Sequence, residues 1–194
     1  MKRLLAYQFL VLVLTFSFQS WTKADDIKDF EIERMSIGDS ALRYFDKGEI
    51  DNSTSVMQGE YKKSILRINL KQYDSLILTY KNNDKNYIIA GLTGNIAIYS
   101  NINDCYKKMQ IIEEEISQLF INLNKKDWGI LKLDKEHQTY NPITYDFDNG
   151  DRIQIACYDF RKSKSEDNDR DLLKLSLYTS GYREASKMEA EKAD

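Results

Sequence analysis

Two cysteines, a run of closely spaced aspartates and a single histidine are the side chains of this 194-residue chain whose types and spacing could do chemistry. Cys105 and Cys157 are its two thiols. They lack the two-residue spacing of a redox pair, and neither has an adjacent basic residue to stabilise a thiolate. In an exported chain an even count favours a disulfide between them, the alternative being two unpaired thiols packed as small apolar groups. Asp146, Asp148 and Asp151 superficially suggest a calcium loop. Gly150, however, falls at the fifth position of that motif instead of the sixth, and Cys157 stands where the ligating glutamate belongs. Asp146 and Asp148 would serve a carboxylate-based hydrolase only if two such groups converged with displaced pKa values. Asp167, Asp169 and Asp171 alternate without a glycine and read as a solubilising loop. His137 lies between Glu136 and Gln138 with no second imidazole anywhere, which reads as a surface residue. There is no phosphate-binding glycine loop, serine elbow or nucleotide fingerprint. No catalytic, cofactor-binding or metal-ligating residue, and no cofactor, is therefore assigned.

The N-terminus speaks to compartment. Met1-Lys2-Arg3 is basic, Leu4 to Phe18 is nearly all apolar, and Thr22-Lys23-Ala24 offers small residues before a cut, the pattern of a cleaved signal peptide over 1–24. The alternative is an uncleaved anchor, but the apolar run is shorter than the roughly 20 residues of a spanning helix. No later run approaches that length, so no span is expected after signal removal. Residues 1–24 hold three of the 28 basic residues and none of the 31 acids, so the net charge moves from −3 to −6 from Asp25 onward. That balance argues against nucleic acid, whose binding rests on a basic face.

The elements that must position these groups follow from periodicity. Cys105, Met109, Ile112, Ile116, Leu119 and Leu123 recur at helical steps, and Asn101, Asn103 and Asp104 precede them as caps, which predicts a long helix. A shorter helix is expected from Ser36 as cap, with Asp39 as its reciprocal partner, Ala41, Leu42 and Phe45 as its stripe, and Gly48 as its stop. Strands are expected at Ser64–Leu70, Tyr73–Tyr80 and Tyr87–Tyr99, the last interrupted at Gly91 and Gly94. Ile143, Tyr145 and Phe147 alternate with polar residues, as do Ile153, Ile155 and Cys157. Parity then demands an odd loop, Asp148-Asn149-Gly150 with Gly150 left-handed, placing Tyr145 opposite Ile153 and Ile143 opposite Ile155. Leu173, Leu175 and Leu177 alternate as a last strand, ended by Gly181. Tyr182 to Asp194 reads as a polar helix or frayed tail with no buried face.

Tyrosine is abundant, 13 residues. Tyr61, Tyr73, Tyr80, Tyr87 and Tyr99 are candidates for a binding surface on an exposed sheet face, the alternative being that they edge the core. Asn52-Ser53-Thr54 fits a glycosylation sequon.

At Phe30–Leu42 (FEIERMSIGDSAL), and at Tyr87–Gly94 leading into Cys105-Tyr106-Lys107-Lys108, the chain resembles an uncharacterised family of small exported bacterial proteins. More distantly, the strand, Met-Ser and helix opening is similar to envelope proteins of the beta-barrel-assembly lipoprotein and beta-lactamase-inhibitor type, whose units are a helical segment followed by three strands. The resemblance implies fold and no activity.

The expected fold is α+β: an antiparallel sheet or sheets with one long helix packed on the sheet, or two tandem helix-plus-three-strand units over 30–99 and 101–181. The expected organisation is a signal peptide over 1–24, one globular domain over 25–181 and a polar segment over 182–194. The expected function is a non-catalytic periplasmic or secreted module that binds a protein partner in the cell envelope, and the alternatives are a carboxylate-based hydrolase or a small-ligand or calcium-binding protein.

Overall fold

The computed structural model of the protein describes residues 25–67, 70–120, 123–133, 138–160 and 170–193. Residues 1–24, where a signal peptide is expected, and His137, Asp167 and Asp169 lie outside the described residues.

Nine antiparallel strands share one sheet: β1 (Thr54–Gln58), β2 (Tyr61–Leu66), β3 (Ser75–Lys81), β4 (Gly91–Ile98), β5 (Asn124–Asp127), β6 (Leu131–Lys132), β7 (Thr139–Asp146), β8 (Arg152–Asp159) and β9 (Asp171–Tyr178). Their order is β1-β2-β3-β4-β9-β8-β7-β5, with β6 beside β7. Among the described residues three α-helices accompany them: α1 (Lys47–Asp51), α2 (Ile102–Leu119) and α3 (Ser180–Ala193).

This overturns the expected layout of one long helix laid on a sheet, or of tandem helix-plus-three-strand units. The sheet dominates, and it is continuous, because β9 pairs with both β4 and β8 and joins what would otherwise be two meanders. The helical stripe is narrow, burying Cys105, Met109 and Ile116, while Leu119 remains 36% exposed. The expected helix after Ser36 is also absent. The Ser36 hydroxyl donates instead to the carbonyls of Lys28 and Phe30, leaving a short 3-10 turn at Ala41–Arg43 and placing Gly48 inside α1. The irregular segment from Ile27 to Ile50 contributes its apolar side chains to the core directly. Of the expected strand Tyr87–Tyr99 only the part from Gly91 onward is β4, while Gly94 does not interrupt it and stays in register with β3 and β9.

Cross-strand rows build the core. Leu78, Leu92, Leu177, Ile153 and Tyr145 are successive partners on one side of the sheet, and Leu66, Leu76, Gly94, Leu175, Ile155 and Ile143 form the next row. Burying each such Leu or Ile contributes about 1.5–3 kcal/mol. α2 covers this side, capped by the Asn101 side chain, which accepts from the Asn103 N–H at 3.0 Å. The hairpin has the expected parity: Tyr145 lies opposite Ile153 and Ile143 opposite Ile155, with Gly150 at φ +85°.

Cys105 and Cys157 form a disulfide that ties α2 to β8, with their Cα atoms 5.9 Å apart and both residues buried. Among the described residues, no helix is long and apolar enough to cross a membrane.

The segment after Gly181 departs from its reading as a polar helix or tail with no buried face. It is helix α3, and Tyr182 on it is 5% exposed.

Candidate functional site: the second face of the sheet

Strand residues of the opposite parity point away from α2. Among the described residues their side is polar, aromatic and basic, and α3 covers one end of it. There Tyr182 meets the Tyr61 ring edge-on at 5.2 Å and the Tyr178 ring at 5.6 Å, and its hydroxyl donates to Gln58 at 2.8 Å. Gln58 in turn donates to Ser186 at 2.6 Å, and Arg183 reaches Asp146 at 3.1 Å. Burial pushes the Tyr182 phenol up.

Beyond α3 the rings of Tyr140 and Tyr158 stack at 5.3 Å, and those of Tyr158 and Phe160 at 5.7 Å. Lys174 places its ammonium 4.3 Å from the Tyr158 ring centre. Burial, reinforced by the charge of Lys63, pushes that ammonium pKa down, and burial likewise pushes the Tyr158 phenol up. Lys126 lies 3.4 Å from the Trp128 ring centre, and the Trp128 indole N–H donates to Thr144 at 3.2 Å.

At the end of this face remote from α3 is a cavity of about 240 Å³. Among the described residues, Arg67, Arg170 and Lys174 line it together with Phe160, Leu172 and Asn95, and no carboxylate does. Asn95 is 7% exposed. Its amide N–H donates to the Ser75 hydroxyl at 3.1 Å, while its Oδ1 is buried with no hydrogen-bond donor. Arg170 donates to the Tyr99 hydroxyl at 3.0 Å.

The five tyrosines named from sequence do not assemble into one surface. Tyr61 is buried beneath α3. Tyr80 and Tyr87 are buried with their rings 5.0 Å apart, Tyr80 sharing a 2.9 Å hydrogen bond with Ser64 and Tyr87 donating to Asp51 at 2.7 Å. Tyr73 is packed beside Gly94 on the core side, where burial raises its phenol pKa to about 12. Tyr99 alone of the five is exposed, at 69%, and it meets the cavity only through Arg170. The aromatic groups of the second face, Trp128, Tyr140, Tyr158 and Phe160, carry a weaker sequence signal. For Tyr158 that signal is its alternation with the buried Ile155 and Cys157.

The aspartates are structural. Asp146 accepts two hydrogen bonds from Arg152, at 2.6 and 2.8 Å, as well as the Arg183 contact. Its own burial raises the carboxyl pKa, but the two guanidinium groups outweigh that and leave it below the usual carboxylate value. Asp148 is exposed, and Asp151 accepts from the Ser180 N–H at 2.8 Å, fixing the start of α3. Asp171 is buried at the start of β9. Among the described residues, no three histidines, cysteines or carboxylates converge in a way that could hold a metal ion.

Compared with family models, curated proteins and solved structures, the chain matches none. The resemblance noted at Phe30–Leu42 and Tyr87–Gly94 rests on those residues alone.

Proposed function

We propose that the protein is an exported, non-catalytic binding module that offers the second face of its sheet to an acidic segment of a protein partner in the cell envelope. The observation that carries this reading is the charge contrast: a chain of net charge −3 concentrates Lys63, Arg67, Lys126, Arg170 and Lys174 on one aromatic face. Complementary charge gives orientation and rate of encounter, and flat aromatic rings give contact area at small entropic cost. Of the two aspartates a hydrolase would need, Asp146 is engaged by Arg152 and Arg183 while Asp148 is exposed on the hairpin loop, which favours binding over catalysis. The disulfide fits an oxidising compartment outside the cytoplasm.

The test is site-specific photo-cross-linking in intact envelopes, with p-benzoylphenylalanine replacing Tyr140 on the second face or Ile111 on the exposed side of α2. The expected result is one protein captured from position 140 and not from position 111, cross-linked through an acidic peptide and lost at high salt. Capture from position 111 alone, or through a basic peptide, would overturn the reading.

A further inference from the structure

We propose that the tip between β5 and β6, carrying Trp128 and Ile130 between Lys126 and Lys132, seats in the interfacial zone of a lipid bilayer with anionic headgroups. The site adjoins the docking face but does not rest on that reading.

One break in register builds the tip. β5 pairs with β7 as far as Asp127 opposite Ile143, and β6 resumes with Leu131 opposite Tyr140, so residues 128–130 stand opposite only Asn141 and Pro142. The Trp128 N–H donates to the Pro142 carbonyl at 3.1 Å, but proline has no N–H to return, and the ladder stops there. Gly129 turns the chain at φ +65°, and a Cβ built on it would meet nothing within 4 Å. The surplus residue is thereby thrust out from the edge of the sheet.

What is thrust out is apolar. Ile130 is 69% exposed and Trp128 42%, and Leu133, just past β6, is also 42% exposed. A single exposed apolar residue is ordinary, but three large ones around one bulge are not. Their polar groups are already satisfied within the protein. The indole N–H donates to Thr144 at 3.2 Å, the Gly129 N–H to the Asp127 carboxylate at 2.8 Å, and the Leu133 N–H to the Gln138 carbonyl at 3.0 Å. Groups paired in this way lose no partner when the tip leaves water, which is the condition for entering lipid.

Charge and area identify the occupant. The Lys126 ammonium lies 3.4 Å from the Trp128 ring centre, and Lys132 is exposed on β6. Rings and methyl groups below, with ammonium groups at the level of the phosphates, are the arrangement of a headgroup boundary. A stable protein interface needs roughly 800 Å² from each partner, which a convex tip of three side chains does not offer. Insertion into lipid needs depth and little area.

The experiment reads Trp128 directly. The chain has two tryptophans and the other is Trp21, so protein starting at Asp25, which contains every described residue, emits from the tip alone. Vesicles of phosphatidylglycerol and phosphatidylcholine in equal parts should shift that emission to the blue, carry the protein with them on flotation, and quench it when the acyl chains are brominated. Ile130→Asn should weaken partitioning about tenfold and Lys132→Gln about fivefold, with circular dichroism and thermal midpoint retained.

No binding, binding that leaves the emission unmoved, or binding indifferent to Ile130→Asn would overturn the site. Equal binding to phosphatidylcholine alone would overturn the requirement for anionic headgroups. With p-benzoylphenylalanine at position 130 in intact envelopes, lipid adducts are expected, and a captured protein without lipid would overturn the bilayer as occupant. If position 140 captures an acidic partner while vesicles leave Trp128 unmoved, this inference falls and the docking face stands. If the tip binds vesicles while position 140 captures nothing, the docking face falls and the tip stands.

Discussion

The ring of Tyr73 occupies the space in which residue 94 would carry a side chain: a Cβ built on Gly94 would lie 2.4 Å from two of its ring carbons. Gly94 sits mid-strand, between Leu76 of β3 and Leu175 of β9, a position where glycine ordinarily weakens a sheet. Here the missing side chain lets an aromatic ring cover the middle of β4. Gly94→Ala should destabilise the protein by about 1–3 kcal/mol through overpacking. Combined with Tyr73→Ala the two losses should not add, because one removes the atoms the other strikes. Urea midpoints of the two single variants and the double variant decide this, and strict additivity would refute the relationship.

The clamp between α2 and β8 closes a loop of sequence separation 52, for which the chain-entropy model gives about 4 kcal/mol. Native protein alkylated under denaturing conditions without reductant should take up no label, and two labels would show that the bond is absent. Reduction should lower the thermal midpoint.

Asp146 should matter at neutral pH and cease to matter in acid. Its folded-state pKa lies below the unfolded value of about 3.9, so its stabilising contribution is present above that value and is lost as pH falls through the folded pKa. Asp146→Asn should cost about 2 kcal/mol at pH 7, between the worth of an exposed and of a buried pair. Denaturation curves of variant and parent should converge progressively below about pH 4.

Lys174 carries the opposite sign. Its folded-state pKa is pushed below the unfolded value of about 10.4, so the charged side chain costs stability at neutral pH, a deficit relieved as pH rises through the folded pKa. Lys174→Met should therefore stabilise the free protein at pH 7 by about 1 kcal/mol, with the gap narrowing as pH rises through the folded pKa toward the unfolded value of about 10.4. A variant less stable than the parent at pH 7 would refute this.

What could be read from sequence was local. Tyr145, Ile153 and Gly150 fix their hairpin through alternation and parity over a few residues, and Cys105 and Cys157 share an interface because each lies on an apolar stripe. Position in the sheet is not local. Nothing near Leu173–Leu177 marks β9 as the strand between β4 and β8, and that placement alone replaces tandem units by one sheet. The polar edge strands, TSVMQ and NKKD, have no apolar alternation to announce them. Ser36 carries a helix-cap signature, but its hydroxyl is captured by two carbonyls from an earlier segment. The second face was the hardest to foresee, because Lys174, Arg67, Arg170 and Asn95 converge only after four strands are aligned.

The strand that completes the middle of the sheet comes after the other eight strands in chain order among the described residues. Until residue 178 has left the ribosome or the translocation channel, β4 and β8 each present a row of unpaired N–H and C=O groups, and no local pairing can close them. The chain must therefore wait, and closure of the sheet only after β9 has emerged is built into its topology. Cys105 and Cys157 both precede β9 in sequence, so the covalent bond can form during that wait and hold α2 against β8 while the gap is filled. The order of assembly runs from bond to strand, and a chain cut before Asp171 would keep its clamp and lose the sheet's continuity.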